Sequence, residues 1–133
     1  MNFQFSDEAE ALRDQARKFL ADKSERSKAR AIMENGVAHD ATLWAEIVEL
    51  GWTALRIPEA HGGLGLSVLE LCVLAEEVGR ALSPVPFTSS VLLATEALIQ
   101  AGTDTQKAKW LPKLADGSAI GAVALGEGTA APG

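Results

Sequence analysis

The chain has 133 residues, 47% hydrophobic and 23% charged, with a net charge of −6; this balance describes a globular domain with one core and argues against disorder. A single cysteine, Cys72, excludes an intrachain disulfide and any cysteine-based zinc site, and fits a reducing cytoplasm. Residues 1–34 hold seven acids and seven bases and residues 35–133 hold eleven and five, so the chain offers no basic surface of the kind that binds nucleic acid through its phosphates.

The N-terminus, MNFQFSDEAEALRD, carries acids where a signal peptide needs a basic and then an apolar stretch. No run reaches the ~20 apolar residues of a membrane span, so no membrane insertion is expected. Ser6 is a natural N-cap, with Asp7 and Glu8 favourably placed against the helix dipole. Ala9, Leu12, Ala16, Phe19 and Leu20 follow at helical spacing and predict a first amphipathic helix over about 6–21. The densely charged stretch DKSERSKARAIMENG predicts a short, mostly solvated helix ending near Gly36.

Leu43, Trp44, Ile47 and Leu50 share one face of a third helix over 41–50, closed by Gly51. WTALRIPEAHGGLGL breaks the period with Pro58 and its glycines and reads as a long ordered connection. Ser67 and Glu70 form a capping box ahead of a fourth helix over about 68–82, whose buried face is Leu71, Leu74, Ala75, Val78 and Leu82. After Pro84 and Pro86, TSSVLLATEALIQAG predicts a fifth helix, apolar nearly all round. Thr103 and Gln106 cap a sixth, with Trp110, Leu111 and Leu114 turned inward, Pro112 as a kink and Gly117 as the stop. AIGAVAL, from Ala119, then has strand character. The expected fold class is all-α, a bundle of about six helices over residues 1–117 followed by the start of a β-strand, with the composition changing at residue 118 to small and β-compatible residues.

Read for chemistry, these residues supply no complete constellation. GGLGLS at 62–67 lacks the Lys-Ser/Thr ending of a P-loop and follows no strand, so its glycines read as turn residues. His39 and His61 have no partners at metal-ligand spacing and read as solvent-facing. Cys72 reads as an inert core thiol, Glu76 and Glu77 as a solvated face, and Trp44, Trp52 and Trp110 as core packing. Glu127, alone among glycines after an apolar run, is the most distinctive acid, though one carboxylate is not a site.

In order, FSDEAEALRDQARKFL, LWAEIVELGWTALRIPEAHGGLGLSVLELCVLAEEVGR and GTDTQKAKWLPKLADGSAIGAVAL resemble the N-terminal helical domain of the acyl-CoA dehydrogenases, most specifically at Pro58–Gly65 and Gly102–Gly117. The resemblance implies an FAD enzyme in which a carboxylate on a C-terminal domain removes the α-proton of an acyl-CoA while hydride passes from the β-carbon to the flavin. That base lies outside these residues, so no catalytic residue and no metal ligand is expected here. The resemblance also implies that VPFTSSVLLA runs along the acyl pocket, with Phe87, Ser89 and Leu92 as substrate-lining positions. At the flavin side, the family's A-L-T-E-P is replaced by Ala124, Leu125, Gly126, Glu127 and Gly128. Its threonine hydroxyl is absent, which leaves backbone groups of Ala124, Leu125 and Glu127 as cofactor contacts.

Two readings stand at this point. In one the chain is the N-terminal part of an FAD-dependent acyl-CoA dehydrogenase, inactive alone, with electron-transfer flavoprotein or oxygen as acceptor and a homo- or hetero-oligomeric assembly. In the other it is a non-catalytic helical subunit that pairs with a complete dehydrogenase chain through its fifth helix and terminal strand.

Overall fold

The computed structural model describes residues 5–126, which contain six α-helices and no strand. Helix α1, Asp7–Lys23, starts where Ser6 Oγ accepts the Ala9 N–H at 3.2 Å, and buries Ala9, Ala16 and Leu20. Helix α2, Arg26–Glu34, has no side-chain cap and buries none of its residues, as its charge density requires. In α3, Ala41–Glu49, the Asp40 carboxylate accepts the Leu43 N–H at 3.0 Å, and Leu43, Trp44 and Ile47 face inward. Leu50, expected on that face, caps the helix and is exposed.

Helix α4, Val68–Arg80, carries the expected capping box of Ser67 and Glu70 and packs along α1. It ends two residues early because Leu82 takes the left-handed conformation (φ 51°) and turns outward, away from the buried face expected of it. The core lies between these helices: Leu20 of α1, Trp44 and Ile47 of α3, and Leu71, Leu74 and Val78 of α4, joined by Trp52, Phe87 and Val91. Phe19 meets Trp52 edge to face at 5.5 Å.

The connection between α3 and α4 is ordered by its own backbone. Leu64 N–H donates to Ala54 O, Gly65 N–H to Ile57 O and Leu66 N–H to Leu55 O, each at 2.9 Å, around a 3₁₀ turn at Glu59–His61. Gly63 sits against Ile57 so closely that any Cβ would overlap the Ile57 carbonyl, which explains a glycine there. Ala54 and Ile57 then pack with Leu111, Leu114 and Ala115 of α6, Asp104–Ala115, in a second cluster. The buried Thr53 hydroxyl donates to Ala115 O at 2.7 Å and locks the two together. His39 and His61 are half-buried rather than fully solvent-facing.

The stretch read as one fifth helix is two elements: a π-helix, Phe87–Thr95, and a short α5, Glu96–Ala101. After Gly117, residues 119–126 have neither helix nor strand. AIGAVAL has strand composition, but among the described residues it has no neighbouring strand, and a strand needs a ladder partner to exist. No helix among the described residues is long and apolar enough to cross a membrane.

Candidate functional site

The π-helix, the face of α6 beside it and residues 119–126 carry uncovered apolar surface at Leu93, Trp110, Ile120, Val123 and Leu125, and a second exposed apolar group, Leu64, Leu66, Val68 and Leu69, lies where the ordered connection enters α4. Pro84 and Pro86 end the preceding chain, and Pro86 leads into the wide turns without a side-chain cap. A π-helix of nine residues is unusual, since most are single turns within α-helices and many mark functional sites. Hydroxyls support its carbonyls: Ser89 Oγ donates to Pro86 O at 3.3 Å and the buried Thr95 Oγ1 to Ser90 O at 2.8 Å. Where it passes into α5, Arg56 grips Glu96, with Nε to Oε1 at 2.6 Å and Nη2 to Oε2 at 3.3 Å.

One side of this helix is core: Phe87, Ser90, Val91, Ala94 and Thr95 are buried. The other is open, with Leu93 51% exposed, Thr88 exposed and Ser89 and Leu92 half-buried. The three positions expected to line an acyl pocket therefore divide. Ser89 and Leu92 border the open side, while the Phe87 side chain lies in the core cluster with Val91 and Leu74. Leu93 escaped the sequence reading because a run of Val-Leu-Leu-Ala shows no polarity break to mark its outward member.

A groove of about 560 Å³ runs between α5, α6 and residues 119–124; Ala97, Leu98, Leu114, Ile120 and Ala124 are among its walls. Trp110 stands at its edge, 40% exposed rather than turned inward, with the Lys109 and Lys113 ammonium groups 4.8 and 5.5 Å from its ring centre. Ala124 belongs to this groove, Leu125 is 75% exposed beyond it, and Glu127 lies outside the described residues.

Elsewhere two sequence readings change. Cys72 is exposed, because its α4 neighbours Leu71, Val73 and Leu74 take the inward positions. Glu77 is not on a solvated face: its side chain is 0% exposed, held by Arg17 Nη2 at 2.6 Å, Arg17 Nε at 3.1 Å and Arg80 Nε at 2.8 Å. The Arg17 hydrogen bonds hold this carboxyl below the usual glutamate range, outweighing the opposite effect of burial, with Arg80 adding to them. Such a carboxylate stays charged and partnered, which suits a structural tie and not a proton acceptor. Among the described residues no group of acids, histidines and cysteine could hold a metal ion.

All six α-helices and the π-helix fall within the stretch that matches one family of helical domains. The family described as the acyl-CoA dehydrogenase N-terminal domain matches residues 6–118, and the chain belongs to that family. Mitochondrial isovaleryl-CoA dehydrogenase of Arabidopsis thaliana is 33% identical over 125 residues, 92% of this chain but 31% of the relative. The acyl-CoA dehydrogenase of Bacillus anthracis complexed with FAD superposes with a TM-score of 0.84 at 26% identity, covering 96% of this chain and 22% of that one. The ChsE4-ChsE5 complex of Mycobacterium tuberculosis gives 0.65 at 28% identity, covering 88% and 30%. The chain thus spans about a third or less of the length of these proteins.

Proposed function

We propose that this chain forms the acyl-side wall of an FAD-dependent acyl-CoA dehydrogenase, which introduces a double bond between the α- and β-carbons of an acyl-CoA thioester. The observation that carries this reading is the π-helix, whose open side offers Leu93 and Leu92 to an alkyl chain and the Ser89 hydroxyl beside them. Pockets for small apolar ligands combine such walls with a few placed polar groups. Phe87 supports that wall from behind, as a fully buried prop in the core.

The flavin, when bound, supplies the hydride acceptor. What this chain offers it is limited to backbone groups of Ala124, Leu125 and Glu127 and the exposed Leu125 side chain, because residues 118–126 include no lysine or arginine to meet a pyrophosphate. These residues fit one edge of a flavin cleft. They do not fit a whole cofactor site, and no catalytic base is assigned to this chain. By the family resemblance, residues 118–133 are read as the beginning of a middle β domain after the helical domain of residues 1–117, and an electron-transfer flavoprotein or oxygen as the final acceptor.

The test is a titration of the ¹⁵N-labelled 133-residue chain with butyryl-, isovaleryl- and octanoyl-CoA, with CoA alone as control, followed by gel filtration with FAD. Acyl-dependent shifts at Ser89, Leu92 and Leu93, with flavin eluting apart from the protein, are expected. Shifts confined to other surfaces would remove the acyl-wall reading. Stoichiometric flavin on the chain would show a cofactor site that these residues do not reveal.

A second reading has its own observation. The open groove between α5, α6 and residues 119–124 is apolar surface of the kind that a companion chain covers, and one structural neighbour is a complex of two different proteins. In this reading the chain is a helical subunit of a hetero-oligomer with a complete dehydrogenase chain. Light scattering of the chain with and without such a companion separates the two.

A further inference from the structure

The two sides of the proposed site belong to segments 31 residues apart, and one buried hydroxyl connects them. Ser90, on the core side of the π-helix, accepts the Gly121 N–H on its Oγ at 3.1 Å. The Ser90 carbonyl meanwhile takes the Thr95 hydroxyl at 2.8 Å, so both ends of this residue are engaged, one in a buried hydrogen bond and the other in a partly buried one. Directly beside it Gly121 lies on Ala94, close enough that a Cβ on the glycine would overlap the alanine methyl. Residues 119–126 have no strand partner among the described residues, so the Gly121 amide finds in a side chain the acceptor that a ladder carbonyl would supply in a sheet.

We propose that Ser90 is a positioning residue, whose hydroxyl, together with the Ala94–Gly121 contact, sets where residues 121–125 lie on the π-helix. The inference rests on the proposed function for its consequence: the same helix turns Ser89, Leu92 and Leu93 toward the acyl side and Ser90 and Ala94 toward the segment that carries Ala124 and Leu125. The flavin-side backbone is then referenced to the acyl-side helix and not to the bundle as a whole. Gly121 is half-buried, so the bond contributes direction more than energy: it fixes one point of a segment that has no strand ladder among the described residues.

The experiment uses the 133-residue chain and amide hydrogen exchange read by NMR. In Ser90→Ala the Gly121 amide should exchange about three- to tenfold faster and its proton shift move upfield, while Leu20 and Leu74 keep their protection. Gly121→Ala should move resonances throughout residues 119–125, and adding Ala94→Gly should restore them, a rescue that a general loss of stability would not show. Unchanged exchange at Gly121 in Ser90→Ala, or no recovery in the double variant, overturns the proposal. If Ser90→Ala does not fold, the glycine–alanine exchange decides the question with Ser90 intact. None of these readings needs an acyl ligand: exchange results as expected with an acyl-CoA titration that fails would remove the function and keep the positioning.

Discussion

Arg17 crosses from α1 to α4 and places two nitrogens on the Glu77 carboxylate, at 2.6 and 3.1 Å, while Arg80 from the next turn of α4 closes the third side. The carboxylate is wholly buried and each arginine is about half exposed, so the cations keep much of their hydration while the anion depends on them. Removing the anion is the cleaner perturbation, because the arginines can turn to water; removing an arginine strands a buried charge.

Glu77→Gln should therefore destabilise the chain by about 1.5–3 kcal/mol at neutral pH, the range for hydrogen bonds to charged groups. The pH dependence follows from the lowered carboxyl pKa. A depressed acid contributes stability that is fully present above the unfolded glutamate value, about 4.3, and is lost as pH falls through the lower folded value. Glu70 and Asp116 are lowered as well, by the Ser67 and Ser118 hydrogen bonds, so the wild-type acid limb is their joint effect. Urea midpoints of wild type and Glu77→Gln between pH 7 and pH 3 should converge toward the acid end. A constant gap would mean that Glu77 is tied sterically and not by charge.

Leu82 occupies the position after the C-cap of α4 at φ 51°, with Leu82 N–H on Gly79 O at 3.0 Å and Ser83 N–H on Val78 O at 3.2 Å. Helices α2 and α3 end with the same pair of bonds, but there the left-handed residue is Gly36 or Gly51. A leucine in this conformation costs about 1–2 kcal/mol against its usual basins. It is 60% exposed, so little packing offsets the strain. Leu82→Gly should raise the melting temperature, with a gain of about 1 kcal/mol. A loss on substitution would assign the Leu82 side chain a packing role that its exposure does not show.

Helix caps were legible in the sequence because capping is local chemistry: Ser6, Ser67 and Thr103 each cap the helix that follows them as expected, and Asp40 does the same ahead of α3 without having been singled out. The expectations that failed depended on distant residues. Glu77 looked solvated because nothing near it in sequence announces Arg17, 60 residues earlier. Cys72 and Trp110 sit beside true core positions, and a rotation of one residue about a helix decides which neighbour is buried. The π-helix was invisible to a 3.6-residue period, and with it the outward face of Leu93. The family motifs were plain to read, yet the geometry of the π-helix and the segment beside it needed the Ser90, Thr95 and Gly121 bonds, none of which has a spacing rule.

Gly63 offers a test of the ordered connection. Its φ is not in the left-handed region, so the demand on glycine is steric: a Cβ would enter the Ile57 carbonyl, which accepts the Gly65 N–H at 2.9 Å. Gly63→Ala should therefore open that bond, with faster exchange at Leu64 and Gly65 and a loss of about 1–3 kcal/mol, the range for overpacking. Gly62→Ala, where a Cβ meets nothing but φ is +83°, should cost only the conformational strain of about 1–2 kcal/mol and leave the Gly65 amide protected.

Arg56 joins that connection to Glu96, the first residue of α5, directly after the π-helix. Its guanidinium spends three nitrogens on two targets: Nε and Nη2 on Glu96, and Nη1 on Leu66 O at 2.7 Å. Both side chains of the ion pair are mostly buried, so screening by solvent is weak. A lysine ammonium is a point charge without the planar fork, and it cannot meet both carboxylate oxygens and a carbonyl in the other direction. Arg56→Lys should keep the charge and still lose about 1–3 kcal/mol, through the Leu66 carbonyl and one arm of the Glu96 contact. The loss should be seen at both ends of the tie, as faster exchange at Leu64 and Leu66 and as resonance shifts at Thr95 and Glu96. An Arg56→Lys chain with wild-type stability would show that charge alone holds the start of α5 to the connection, and the directional geometry would then carry no weight.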